Sequence, residues 1–271
     1  MKIARQVSLL TIALVLLITG CRGQSGHKGV IVAGSTSVQP YAEILAEEYA
    51  SLYPGRIVDV QGGGSSAGIA AAESHTADIG MSSRGLKEKE SHLWSVEIAK
   101  DGLAIIVHPS NPVEDLTIDQ IREIYTGKIT NWSEVGGSDS NIHLIAREAG
   151  SGTRSAFMEL VMDKELITPK SIIQSSNGAI KLLVTGDINA IGFISLGLVD
   201  DDVKALKLGG VPATTENVIN HSYSLFRPFL YVCNGEPTGE VNDFINFTLS
   251  PEGQRSLALE GLIPVHNTFS E

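Results

Sequence analysis

From Val30 onward, short apolar runs alternate with amphipathic ones, and several of the apolar runs end in glycine, serine and threonine. Val30 to Ala33 reads as a buried strand, and Pro40 to Tyr53 as a helix with Tyr41, Ile44, Leu45, Tyr49 and Leu52 on one face. Ile57 to Val60 follows as a strand, SSAGIAAAES as a second helix, Ala77 to Met81 as a third strand and Leu103 to Val107 as a fourth. This βαβαβ order predicts a mostly parallel sheet covered by helices, because parallel neighbours need a crossover between them.

The pattern restarts after His108-Pro109. Thr117 and Gln120 form a capping box for the helix IDQIREIY, which Gly127 ends. Ile142 to Ala146 reads as a strand, Thr153 to Met162 and Gly178 to Thr185 as helices, and Ala190 to Ile194 as a strand. The chain then returns to a long apolar strand, Tyr223 to Cys233, and two helices; Ser250 caps the second, with Pro251 at its first position and Gly261 past its end. The expected fold is α/β with two lobes. Residues 29–106 and 222–271 form a discontinuous domain I, residues 107–221 form domain II, and two strands make the hinge.

The first twenty residues stand apart from this pattern. Lys2 and Arg5 precede an apolar run from Val7 to Ile18, as in a secretory signal, and the run is shorter than the about 20 residues of a spanning helix. Leu17-Ile18-Thr19-Gly20-Cys21 resembles a bacterial lipobox, whose cysteine becomes the lipidated first residue of the mature chain. Residues 22–28, RGQSGHK, then form a polar tether. With Cys21 lipidated, Cys233 has no disulfide partner and reads as a small buried hydrophobe. Loss of residues 1–20 leaves eighteen cationic groups against thirty-one acidic ones, a net charge of −13. That surface argues against nucleic acid or an anionic membrane as the ligand, so any bound anion must be held by local groups.

Four clusters carry the candidate chemistry: Gly34-Ser35-Thr36-Ser37, Gly62-Gly63-Gly64-Ser65-Ser66, Ser82-Ser83-Arg84 and Gly150-Ser151-Gly152-Thr153. Each suits a helix cap or tight turn taken singly. In a parallel α/β sheet, however, the carboxyl ends of the strands meet at one crevice, where free N–H groups, hydroxyls and helix N-termini suit a small oxyanion. Arg147, four residues before Ser151, adds a planar fork of donors, and Arg84 is a weaker copy. Asp101 precedes a strand; a carboxylate only accepts hydrogen bonds, so beside an anion it tolerates one that still carries a proton, as hydrogen phosphate does and sulfate does not.

A competing enzyme reading rests on Gly64-Ser65-Ser66-Ala67-Gly68, a literal G-x-S-x-G that would make Ser66 a nucleophile with His221 or His266 as base. It leaves the other clusters and Arg147 without a role. The seven histidines show no paired metal-ligand spacing, and no G-x-x-x-x-G-K-[ST] loop is present, so neither a metal nor another cofactor is expected.

AGSTSVQPYAE, GGGSSAGI, ADIGMSSRGL, KDGLAIIVHPSNPV, LTIDQIREIYTGKITNWSEVGG and REAGSGTRSAF together resemble the phosphate-binding lipoproteins of bacterial phosphate ABC transporters, from about Val30 to Pro264. The resemblance implies the two-lobed periplasmic-binding-protein fold and capture of inorganic phosphate by a lipid-anchored, extracytoplasmic monomer for a membrane permease. It implies Thr36, Ser37, Ser65, Arg147, Ser151, Gly152 and Thr153 as ligands, and the residues of this chain add Ser83, Arg84 and Asp101 to the expected phosphate-binding set. Longer members carry Ala-Ser-Asp where this chain has Ser82-Ser83, and that aspartate accepts the phosphate proton; the expectation here is that Asp101 takes its role. Sulfate or molybdate is the nearest competing ligand, and a surface adhesion or signalling protein that keeps the fold but not the ligand is the other alternative.

Overall fold

The computed structural model describes residues 29–265. The expected leader (1–20), Cys21, the tether (22–28) and His266 lie outside the described residues. The described strands are, in chain order, β1 (Val30–Gly34), β2 (Val58–Gly62), β3 (Ile79–Ser82), β4 (Trp94–Val107), β5 (Asp115–Leu116), β6 (His143–Arg147), β7 (Ile172–Gln174), β8 (Ala190–Ser195), β9 (Lys204–Ala205), β10 (Lys207–Leu208), β11 (Phe226–Cys233) and β12 (Ile263–Pro264).

Apart from the separate parallel pair β5 and β10, they form two mixed sheets that share one strand. In the first lobe the order is β2-β1-β3-β11-β4, with β1 parallel to β2 and β3, and β11 antiparallel to β3 and β4. In the second it is β4-β8-β6-β7, with β8, β6 and β7 mutually parallel and β4 antiparallel to β8. Trp94 to Gly102 pair with β11, whereas Leu103 to Val107 pair with β8. The chain returns beside this crossing, where Leu103 N donates to Leu225 O at 2.8 Å and Tyr223 Oη donates to Leu103 O at 2.9 Å. This is the two-strand connection.

Each lobe has its own core. Val32, Leu45, Ile79, Met81, Phe229, Tyr231 and Phe244 fill the first; Ile105, Ile124, Tyr125, Phe157, Phe193 and Tyr223 fill the second. Cys233 belongs to the first core, where burial pushes its thiol up to about 12. Local signals act as expected at the helix Ile118–Thr126: Gln120 N donates to Thr117 Oγ1 at 3.2 Å, Thr117 N donates to Gln120 Oε1 at 2.9 Å, and Gly127 closes it in the left-handed region at φ 82°.

Other elements depart from the periodicity. β4 begins nine residues before the expected Leu103, because a bulge at Ile98 shifts the register between Phe229 and Leu230 and buries both Ile98 and Ala99. Gln254, on the helix Pro251–Leu259, donates to the Ile98 carbonyl at 2.9 Å. The bulge removes the two-residue alternation by which a strand is recognised. In the helix Gln39–Leu52, Ala42 and Ala46 join the buried face while Leu52, at its end, is 59% exposed. The expected helix from Thr153 is an α-helical turn, Gly152–Phe157, that widens into a π-helical one, Met158–Met162, with Arg122 Nε donating to the Val161 carbonyl at 2.7 Å. β7 is a three-residue edge strand with Ile172 and Ile173 half exposed, too short to show a period.

The helix Ser65–Glu73 lies flat on β1 and β3. A Cβ on Gly68 would stand 2.5 Å from both Ala33 O and Gly34 Cα, and one on Gly80 would stand 2.5 Å from Gly68 O. Only glycine allows that approach. Gly68→Ala should therefore destabilise the protein by about 1–3 kcal/mol in urea unfolding, the usual cost of overpacking; an unchanged midpoint would show that the helix has room to lift.

Candidate functional site

The carboxyl ends of β1, β2, β3, β6, β7 and β8 all lead into one cleft between the lobes. The chain after β1 supplies Ser35, Thr36 and Ser37, that after β2 supplies Ser65, and that after β3 supplies Ser83; β6 ends at Arg147 and leads to Ser151, Gly152 and Thr153. The four Gly/Ser/Thr clusters are thus brought together. Ser35, Ser37, Ser65, Ser83, Arg147, Ser151 and Thr153 are all buried to within 2% of full.

Hydrogen bonds inside the first lobe fix the hydroxyls. Ser35 Oγ donates to Ser83 Oγ at 2.9 Å, Ser83 N donates to Ser65 Oγ at 3.0 Å, and Ser37 N donates to Ser35 Oγ at 3.2 Å. Four contacts cross to the second lobe: Ser37 Oγ with Thr153 Oγ1 at 2.8 Å, Asn177 Nδ2 to Ser37 Oγ at 2.8 Å, Arg147 Nη2 to Thr36 Oγ1 at 3.2 Å, and Ser66 N to Gly150 O at 3.0 Å. Gly152 sits where a Cβ would lie 2.2 Å from Ser65 Oγ and 2.5 Å from Ser83 Oγ, so the lobes meet backbone to hydroxyl there. Ser151 caps the turn behind it, its Oγ accepting from Arg154 N at 3.1 Å.

Two guanidinium groups lie in this cleft. Arg147 donates from Nε and Nη2 to Glu148 at 2.9 and 3.0 Å and to Ser175 O at 3.1 Å. Arg227, on β11, donates from Nε and Nη2 to Asp101 Oδ2 at 3.1 and 3.0 Å and from Nη2 to Ser37 Oγ at 3.1 Å. Asp101 and Arg227 are register partners across the hinge strands, and Ser195 at the end of β8 donates to Asp101 Oδ1 at 2.7 Å. Burial pushes the Asp101 carboxyl above its ordinary range, against the opposing pull of Arg227 and Ser195. Burial also loosens the hold of Arg227 on its proton, and the nearby Arg147 charge adds to that. The Nη1 atoms of both arginines are buried without a hydrogen-bond partner among the described residues. A buried donor left unpaired costs about 1–3 kcal/mol. Two such donors beside converging hydroxyls suit an oxyanion, which would also relieve the repulsion between the cations.

Comparison with known proteins agrees with that chemistry. A family model of the PBP superfamily domain matches residues 22–252. The phosphate-binding protein PstS of Bacillus subtilis (strain 168) is 30% identical over 287 residues, covering 98% of this chain and 95% of that protein. The chain belongs to the PstS family. Among solved structures, a Clostridium perfringens substrate-binding protein assigned to phosphate ABC transport, solved with bound phosphate, is 50% identical with a TM-score of 0.86, covering 88% of this chain and 100% of that one. An ABC-type phosphate transport receptor from Vibrio cholerae is 40% identical with a TM-score of 0.72, covering 87% and 99%. PstS proteins are binding proteins, not enzymes, and this chain is a solute-binding protein of that kind.

In this PstS-family chain several residues sit differently from the sequence expectation. Arg84 is buried but its guanidinium is held by Glu90 at 2.7 and 3.0 Å and by Gly85 O at 2.8 Å. Asp101 is fully buried, with both carboxylate oxygens engaged, by Arg227 and Ser195. Ser66 faces Arg84 at 3.5 Å, and the expected base His221 is exposed beside Phe226 instead. Arg227, Asn177 and Ser195 were not foreseen. Arg227 had a signal, since a lone arginine within the apolar SLFRPFLYVC needs a buried partner. Asn177 had one too, because QSSNG is a further small polar cluster at a strand-to-helix turn.

The Arg84–Glu90 pair generates a pH prediction. The Arg84 hydrogen bonds hold the Glu90 carboxyl below its ordinary 4.5. A depressed folded value stabilises the native state above the ordinary range, and the contribution is lost as pH falls through the folded value. Glu90→Gln should therefore lower stability at pH 7 while flattening the loss of stability below pH 4.5 in acid-unfolding curves; an unchanged acid slope would remove this pair from the account.

Proposed function

We propose that this chain is the extracytoplasmic receptor of a phosphate importer. It is tethered to the membrane through lipid on Cys21, acts as a monomer, binds inorganic phosphate in the cleft and presents it to the permease of an ABC transporter. The observation that carries the reading is the pair of buried guanidinium groups, Arg147 and Arg227, each with an unpartnered Nη1 beside the hydroxyls of two lobes. The Clostridium perfringens relative with bound phosphate supports the same ligand.

In this reading Thr36, Ser65, Ser83, Ser151, Gly152 and Thr153 donate to phosphate oxygens, Ser37 aligns the Thr153 hydroxyl, and Arg147 and Arg227 supply the charge. Asp101 and Arg84 act from behind: Asp101 orients Arg227, and Arg84 holds the turn that carries Ser83. Charge-assisted hydrogen bonds contribute about 1.5–3 kcal/mol each, so eight of them offset much of the dehydration of the anion and leave the roughly 8 kcal/mol that micromolar binding needs. Because the donors come from both lobes, phosphate stabilises the closed arrangement, and the lobes swing about the β4/β11 crossing. The net charge of −13 after loss of the leader acts over a longer range and is screened by salt, so these local donors decide the outcome.

Calorimetry of the mature protein tests the proposal. One phosphate should bind per chain, arsenate should compete, and sulfate should bind far more weakly; tighter binding of sulfate or molybdate would replace the reading. Arg147→Ala should weaken phosphate at least about 100-fold, from the loss of two charge-assisted bonds. The thermal midpoint of the unliganded variant should change little, because the Glu148 side chain is 31% exposed and can hydrate. Broad unfolding of that variant would return Arg147 to a structural role.

A further inference from the structure

Discrimination of phosphate from sulfate needs an acceptor for the proton that phosphate carries. Each carboxylate near the cleft is already paired with an arginine. Asp101 accepts from Arg227 and Ser195, Glu148 is clasped by Arg147, and Glu90 is clasped by Arg84. Beside Ser37, one amide acceptor has no partner. Asn177 is 1% exposed, and its Oδ1 is buried without a hydrogen-bond partner among the described residues.

The orientation of this amide is tied into the site. Ser37 Oγ accepts from Arg227 Nη2 at 3.1 Å and from Asn177 Nδ2 at 2.8 Å, which uses both its lone pairs. Its own proton therefore goes to Thr153 Oγ1, 2.8 Å away, and the Thr153 hydroxyl hydrogen is left for another acceptor. With Nδ2 held by Ser37, the carbonyl oxygen is the free end of the Asn177 side chain. Asn177 opens the helix Asn177–Thr185, two residues beyond Ser175, whose carbonyl accepts from Arg147. It is thus attached to both arginines, through Ser37 on one side and Ser175 on the other.

We infer that Asn177 Oδ1 accepts the P–OH hydrogen of bound hydrogen phosphate, so that a neutral amide selects phosphate over sulfate where the nearby carboxylates are held by arginines. The inference rests on the phosphate reading above. A neutral acceptor suits this site, since a second buried carboxylate would repel the anion that the arginines attract. Against sulfate, which has no proton at neutral pH, the same oxygen faces another lone pair and disfavours binding.

Competition calorimetry with phosphate, arsenate and sulfate on the wild type, Asn177→Ala and Asn177→Asp tests it, with thermal melts to confirm folding. Asn177→Ala should weaken phosphate and arsenate together by about 10- to 100-fold, the range for one hydrogen bond to a charged partner, and should narrow their advantage over sulfate. Asn177→Asp should restore the preference for phosphate over sulfate even where added charge lowers affinity. Equal weakening of all three anions in Asn177→Ala would overturn the inference, because it would mean that the amide donates Nδ2 to the ligand or acts only as a brace. An Asn177→Asp variant that loses its preference for phosphate would overturn it as well. Failure of the wild type to bind phosphate at all would instead overturn the function proposed above, so the two failures are told apart by the wild-type titration.

Discussion

Asp101 and Arg227 face each other across the two strands that join the lobes, and the arrangement of the cleft follows from that buried pair. Two charges removed from water cost several kcal/mol each unless their remaining hydrogen-bonding capacity is filled. Here Asp101 accepts from Arg227 and from Ser195 on β8, and Arg227 also reaches Ser37 beyond β1. A single ion pair thereby ties the crossing strands to the strand ends of both lobes. Ser37 then passes the constraint on to Thr153 and Asn177, so the orientation of hydroxyls on one lobe is set by groups on the other.

The close contact between the lobes depends on what is missing as much as on what is present. Gly152 brings main chain against Ser65 and Ser83, and Gly34, Gly68 and Gly80 let the helix that begins at Ser65 sit directly on the sheet. Any side chain at these points would push the donor groups apart by more than a hydrogen bond tolerates. The glycines are therefore a condition for the hydroxyls to converge, and the strand topology decides where they do so.

Much of this was legible in the sequence because it is local. Capping of the helix Ile118–Thr126 depends on residues a few positions apart, and the alternation of strands and helices depends on burial of one face. The four clusters and Arg147 could be placed at strand ends for the same reason. The first half of β4 could not, since the bulge at Ile98 breaks the period. Asp101 was noticed but given a role beside the ligand, because nothing nearby in the chain announces its partner, which is 126 residues away. Arg84 was likewise placed beside the ligand without its Glu90 partner: Glu90 is only six residues on, but which cation a carboxylate takes depends on how the intervening turn folds.

The sequence by itself determined the α/β class, the division into two lobes and the strand-end clusters, and it pointed to a small oxyanion as the proposed guest. These rest on periodicity, capping and residue type, which act over one or two turns of chain. The tertiary structure decided which charges are spent on one another and which donors and acceptors remain. The Arg84 Nη atoms are taken by Glu90 and Gly85, and Asp101 by Arg227 and Ser195, while Arg147 Nη1, Arg227 Nη1 and Asn177 Oδ1 remain unpaired beside the converging hydroxyls. The physical reason is that hydrogen-bonding capacity is finite and is shared among groups that meet only when the two lobes come together, so the remainder cannot be computed from neighbours in sequence.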